Sequence, residues 1–283
     1  MKDYLSLIKF SHTVFALPFA VIGFFLGTVE TGAAVDWQLF LKVILCMVFA
    51  RTSAMAFNRY ADRVVDSRNE RTRSREIPSG KLSSAAVLAL VVLSSAAFVA
   101  VTGTINKLCF FLSPVALAVV LGYSYTKRFT WLCHVVLGIG LSLAPIGAYL
   151  AVTGQFALTP VLFSLAVITW VSGFDIIYAM QDESFDREQQ LYSIPSVFGG
   201  KKALFVSVVL HGLTVVFLTL AGIRENGGVF YWTGCVIFTS LLVRQHLLVR
   251  PNDLSRVNAA FFTTNGIASV VFGAFVVLSL LVG

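Results

Sequence analysis

Nine of the chain's 14 acidic side chains fall in two short stretches that share a spacing. Asn58, Asp62 and Asp66 make up the core of the first; Asp175, Asp182 and Asp186 lie in the second. Asp62 and Asp182 are 120 residues apart, as are Asp66 and Asp186. Side chains four apart stack on one helical face, so Asn58, Asp62 and Asp66 form an oxygen row along two turns. Mg2+ takes oxygen ligands, usually one or two carboxylates together with phosphates and waters. One such row alone reads as a solvated helix end; a matched pair points to a divalent cation and a phosphorylated ligand. Asp175 precedes Asp182 by seven residues, which sets it about 10 Å deeper on the same face of a continuous helix. An acid inside a span costs ~2.5–3.5 kcal/mol on insertion scales and is a functional candidate by default.

Basic partners lie close by. Arg71 and Arg75 are four apart and follow Asp66, while Arg63, Arg68 and Arg73 fall on other faces if the helix continues. Guanidinium forks bind phosphate oxygens two at a time. Tyr123 and Lys127 put a phenol and a cation on one face of another helix; by themselves, Lys127 and Arg128 are ordinary topology signals. Arg51 precedes Asn58 by seven residues and sits two turns deeper. A buried arginine needs an anionic partner, which could be Asp175 or an anionic substrate such as an aromatic carboxylate.

The elements that must position these groups are membrane spans. Hydrophobic residues make up 57% of the 283 and charged residues 12%, far below the roughly 25% of soluble domains. Apolar segments run near 11–29, 37–57, 85–103, 108–126, 131–152, 161–180, 203–222, 229–249 and 259–282. Each gives ~29–36 Å of helix, enough for a ~30 Å hydrocarbon core. The expectation is an all-α integral membrane protein of nine spans in one domain over 1–283. With the N-terminus in the cytosol, 17 of 21 basic residues fall on the cytosolic side, along with both acidic stretches. The net charge of +7 then reflects topology and anionic lipid or ligand, not nucleic acid. No cleavable signal peptide is apparent, and nothing specifies a protein partner. Cys46, Cys109, Cys133 and Cys235 read as packing residues, and His12, His134, His211 and His246 as unclustered. Each acidic stretch leads to an Ile-Pro-Ser triplet, Ile77-Pro78-Ser79 or Ile194-Pro195-Ser196. That order predicts two parallel four-helix repeats plus one extra helix. A transporter is the alternative, since Gly138, Gly140, Pro145 and Gly147 could break the fifth span.

At these residues the chain resembles the UbiA superfamily of intramembrane aromatic prenyltransferases. The likeness rests on Asn58-Arg59-Tyr60-Ala61-Asp62-Arg63-Val64-Val65-Asp66, on Asp175 through Asp186, and on Ser193-Ile194-Pro195-Ser196-Val197-Phe198-Gly199. Arg71, Arg75, Ile77-Pro78-Ser79-Gly80 and the Tyr123/Lys127 pair support it. The resemblance implies Mg2+ held by Asn58, Asp62, Asp66, Asp182 and Asp186, binding the diphosphate of a polyprenyl diphosphate. It implies that Arg71, Arg75, Tyr123 and Lys127 contact the diphosphate or lie near it. Arg51 matches a basic position in the central cavity associated with the aromatic acceptor. Asp175 is a candidate to orient that acceptor, stabilise cationic charge or help remove the ring proton. The prenyl tail would run between helices toward lipid in a prokaryotic inner membrane, with the active site facing the cytosol. Arg59 stands where many ubiquinone-pathway members carry aspartate. With Tyr178 through Asp186, it is similar to the branch linked to menaquinone made through futalosine, whose acceptor would be a dihydroxynaphthoate; 4-hydroxybenzoate is the alternative. CDP-alcohol phosphotransferases also use aspartates four apart, but their Asp-Gly…Ala-Arg opening and intervening glycines are missing here.

Overall fold

The computed structural model describes residues 2–8 and 13–282; Lys9, His12 and the side chain of Lys2 lie outside the described residues. Every named element among the described residues is helical: α1 (Lys2–Ile8), α2 (Thr13–Thr31), α3 (Trp37–Arg68), α4 (Ser84–Gly103), α5 (Lys107–Thr126), α6 (Cys133–Thr153), α7 (Leu158–Ala179), α8 (Glu183–Glu188), α9 (Ile194–Phe198), α10 (Gly200–Arg224), α11 (Val229–Leu248) and α12 (Asn265–Val282). A 3-10 turn, Met180–Asp182, joins α7 to α8, and a π-helical stretch, Ala259–Thr264, leads into α12.

The helices start where short polar side chains can take up free amides. Asp36 Oδ1 accepts from the amides of Gln38 and Leu39 at 2.9 and 3.0 Å to open α3. Asn106 caps α5 through the Cys109 amide at 2.8 Å and donates to Leu150 O at 2.9 Å, tying the start of α5 to the end of α6. Seven of the long helical stretches are long and apolar enough to cross a membrane, including Leu158–Glu188 and Ala259–Val282. Phe15–Thr31 is a shorter apolar helix. α11 carries Arg244, Gln245 and His246 near its end, which dilute its hydropathy.

Several expectations change in detail. α3 runs past the apolar segment that ends near residue 57 and continues to Arg68, so the first acidic row sits on an intact helix, as its spacing implies. The second acidic stretch does not share a single helical face: Asp175 lies on α7, Asp182 in the 3-10 turn and Asp186 on α8. Helix α6 runs unbroken through Gly138, Gly140, Pro145 and Gly147, so it lacks the discontinuity a transporter site would use.

When moved along by the 120 residues that separate Asp62 from Asp182, α3 overlaps Leu158–Glu188, α4 overlaps α10, α5 overlaps α11 and α6 overlaps Ala259–Val282. The packing repeats too: α3 lies on α4 as α7 lies on α10, and α5 on α6 as α11 on α12. Helix α2 packs on both α6 and α12 and so bridges the two sets. The later set is filled with rings. Trp170 lies 5.4 Å from Phe19, 5.2 Å from Phe174 and 5.5 Å from Phe238, centroid to centroid. Close helix approach depends on small residues. A Cβ at Gly138 would sit 2.6 Å from Ile168 O, which fixes α6 against α7.

Candidate active site

The polar end of α3 meets the α7–α8 turn across a cavity of about 220 Å³. Asn58, Asp62, Asp66, Asp182 and Asp186 all line it, as do Arg71, Arg75, Tyr123, Lys127 and Asp175. Ten of the eleven residues expected from sequence are therefore brought together; Arg51 is not among them. Asp62 and Asp66 are 3% and 4% exposed, so each needs compensation for lost hydration.

That compensation comes from cations. Lys127 Nζ is 3.2 Å from Asp62 Oδ2, and Arg128 Nη2 is 3.6 Å from Asp62 Oδ1. Asn58 Nδ2 donates to Asp62 Oδ2 at 3.2 Å. Arg75 Nη1 donates to both oxygens of Asp66, at 2.7 and 2.8 Å. Arg71 reaches across to the other stretch: its Nε donates to Asp182 Oδ1 at 3.0 Å and its Nη2 to Asp182 Oδ2. Burial works against the Arg71 cation, but the hydrogen bonds and charge of Asp182 outweigh it and hold the guanidinium more firmly protonated than usual. Arg71 and Arg75 do this from turns beyond the end of α3, not from a continued helix.

Deeper in, Asp175 Oδ2 is 2.7 Å from His134 Nδ1 at the start of α6. The sequence-based pairing of Arg51 with Asp175 does not occur. Among the described residues Arg51 makes no ion pair, and its buried Nε has no hydrogen-bond partner. Arg51 instead lines a second, apolar cavity of about 370 Å³ enclosed by α2 to α6, with Ala50, Ala54, Ala116, Gly140 and Gly147 among its walls. Tyr123 and Leu137 line both cavities, so the apolar space begins where the polar one ends.

Among the described residues no three His, Cys, Asp or Glu side chains gather closely enough to hold an ion, and Asp182, Asp66 and Asp62 are each paired with Arg71, Arg75 or Lys127. The chemistry of the set nevertheless suits a hard cation: all five candidate ligands offer oxygen, and Asp62 Oδ1 is buried without a hydrogen bond.

Sequence reading missed several contributors. His134 meets Asp175 41 positions away, and no local pattern marks it. Asn69 Nδ2 donates to Asp182 Oδ1 at 3.1 Å, and Arg71 Nη1 donates to the Tyr178 hydroxyl at 3.2 Å. The histidines are not all isolated either, since His211 Nδ1 and His246 Nε2 lie 2.8 Å apart, away from the polar cavity. Arg59, the residue that departs from the ubiquinone-pathway pattern, is 5% exposed, and its Nε has no partner.

The chain is 30% identical over 240 residues to a 4-hydroxybenzoate octaprenyltransferase of Aliivibrio fischeri, covering 84% of this chain and 83% of that protein. A 4-hydroxybenzoate octaprenyltransferase of Tolumonas auensis is 32% identical over 223 residues, 78% of this chain and 77% of its own. Among solved structures, the apo UbiA homologue from Aeropyrum pernix K1 superposes with a TM-score of 0.85 at 30% identity, over 94% of this chain and 97% of that one. A UbiA homologue from Archaeoglobus fulgidus bound to DMAPP and Mg2+ shares the fold, with a TM-score of 0.74 at 21% identity over 99% and 100% of the two chains. The UbiA prenyltransferase family model matches residues 16–267, and with these relatives it shows that the chain belongs to that family and is an integral membrane prenyltransferase.

Proposed function

We propose that the chain transfers a polyprenyl group from a polyprenyl diphosphate to an aromatic carboxylic acid, a dihydroxynaphthoate or 4-hydroxybenzoate, in menaquinone or ubiquinone biosynthesis. The reaction is Mg2+-dependent and takes place at the cytosolic face of a prokaryotic inner membrane. In this reading each of the nine long helices crosses the bilayer and the N-terminus is cytosolic, in keeping with the basic residues gathered around the polar cavity.

The observation that carries this reading is the junction at Tyr123 and Leu137 of a charged cavity with a larger apolar one. A prenyl diphosphate has the same division, an anionic head on an apolar tail. Arg71, Arg75 and Lys127 now pair with carboxylates and would turn to the diphosphate oxygens on binding. Asp62, Asp66 and Asp182, released in that exchange, would hold Mg2+ together with Asn58 and Asp186. When bound, Mg2+ supplies positive charge opposite the departing diphosphate.

The allylic C–O bond breaks with its electron pair leaving on the diphosphate, where the guanidinium groups stabilise the growing charge. The apolar walls keep water from the allylic cation. An electron-rich ring, its carboxylate held by Arg51, attacks that carbon. Asp175, next to Tyr123 in the polar cavity, takes the ring proton and restores aromaticity.

The test is a membrane assay with labelled polyprenyl diphosphate and Mg2+, offering 4-hydroxybenzoate and 1,4-dihydroxy-6-naphthoate side by side with Asp62→Asn as control. A lipid-soluble aromatic product from one acceptor establishes the reaction and selects the acid. Mg2+-dependent donor binding with neither product would overturn both acceptors, and absence of product and binding would overturn the reading.

A further inference from the structure

His134 is 2% exposed at the start of α6, and both of its ring nitrogens are engaged. Nδ1 lies 2.7 Å from Asp175 Oδ2 on α7, and Nε2 lies 3.3 Å from the backbone nitrogen of Ile194. An amide N–H can only donate, so Nε2 is the acceptor. In the neutral ring Nδ1 then carries the proton and donates it toward Asp175. The tautomer is set by a backbone group 60 residues away.

That amide is itself held in place. The Ile194 side chain is 2% exposed and packs against Ile176 and Ala203, between α7 and α10. Ser193 and Ser196 exchange capping hydrogen bonds at 2.8 and 3.2 Å, and the Tyr192 amide donates to Lys127 O at 2.6 Å. Ser172 Oγ donates to His134 O at 3.1 Å, which fixes the start of α6 on α7. On Asp175 the other oxygen, Oδ1, accepts no hydrogen bond among the described residues, and the side chain keeps 23% exposure beside the polar cavity.

We propose that His134 is a positioning residue: it holds Asp175 with Oδ1 turned to the polar cavity, and is itself locked by the Ile194 amide of the loop that follows the second acidic stretch. The inference rests on Asp175 acting on the acceptor as set out above. Seating of the 191–193 turn with the start of α9 and alignment of Asp175 are then one event. If that segment lifts, Nε2 loses its donor and the ring is free to exchange tautomers, so Asp175 loses its fixed hydrogen bond.

The experiment uses the full chain in lipid nanodiscs with His134→Leu, His134→Asn, Asp175→Asn and the His134→Leu/Asp175→Asn double variant. An asparagine amide nitrogen can replace the Nδ1 donor, whereas leucine cannot. By analogy with supporting partners of metal ligands, His134→Leu lowers kcat roughly 10- to 100-fold. The donor KM and Mg2+-dependent donor binding stay within about 2-fold, since only a step after binding is touched. His134→Asn recovers most of kcat, and His134→Leu costs nothing further in the Asp175→Asn background. In the wild-type protein, 15N spectra show His134 Nε2 without a proton.

A wild-type kcat in His134→Leu beside a slow Asp175→Asn overturns the positioning role alone. A normal Asp175→Asn overturns the assignment of Asp175 and the inference with it. A protonated Nε2, or no recovery in His134→Asn, also overturns the inference; these two readouts decide the matter if His134→Leu does not fold.

Discussion

Arg71 and Asp182 belong to different acidic stretches, 111 positions apart, and are joined by a two-pronged contact in which Nε and Nη2 of the guanidinium each face one carboxylate oxygen. The pair latches the turn after α3 to the turn after α7. In the proposed reaction it also keeps the guanidinium that would bind phosphate and the carboxylate that would bind metal engaged with each other until a ligand carrying both charges separates them.

We expect Arg71→Ala to weaken donor binding and to lower kcat/KM by roughly 10²-fold, the scale for removing one preorganised donor from a developing anion. Asp182→Asn should behave differently. It frees Arg71, so donor binding without Mg2+ is kept or tightened while Mg2+-dependent turnover falls. Calorimetric titration of donor with and without Mg2+ separates the two outcomes; equal losses in both variants would rule out the exchange.

Asp62 should set the metal requirement. It is 3% exposed, with Oδ1 buried and free of hydrogen bonds. Chelation should abolish turnover and added Mg2+ should restore it. Asp62→Asn should need more Mg2+ and turn over at least roughly 10²-fold more slowly. An unchanged Mg2+ titration curve in the variant would remove Asp62 from the ligand set.

Arg51 gives a test in which stability and function part. Its Nε is buried and has no hydrogen-bond partner. Arg51→Leu should leave thermal stability in detergent unchanged or raised, because it removes an uncompensated buried charge. Losing a hydrogen bond to a charged acceptor, about 1.5–3 kcal/mol, should raise the acceptor KM roughly 10- to 100-fold with donor binding intact. Loss of donor binding instead would move Arg51 out of the acceptor site.

Two glycines on α6 should respond in opposite ways. A Cβ on Gly147 meets nothing within 4 Å and projects beside the apolar cavity, so Gly147→Phe should fold and act mainly on long prenyl donors. Measuring kcat/KM against donor length should show the penalty growing with tail length. Gly138→Ala puts a carbon 2.6 Å from Ile168 O and should destabilise the protein by about 1–3 kcal/mol whatever the donor.

The sequence by itself determined the helices, because apolar runs of spanning length and caps such as Asp36 and Asn106 act within one or two turns. It also singled out the acids that the fold gathers at one cavity, since the spacing of Asn58, Asp62 and Asp66 is local and its match near Asp182 shows along one chain. Tertiary structure decided the partners. Arg71 takes Asp182 and Arg75 takes Asp66, although both arginines share the same turn, and Asp175 takes His134 where sequence alone allowed Arg51. Ion pairs between distant segments follow from how helices pack, which no local periodicity encodes. The repeat also hides an asymmetry. α2 to α6 enclose an apolar cavity with Ala50, Ala54, Ala116, Gly140 and Gly147 among its walls, whereas Trp170, Phe174, Phe238 and Phe272 fill the interior of the later set. Both halves read as equally apolar, and only the sizes of the side chains that meet inside the folded bundle leave one of them hollow.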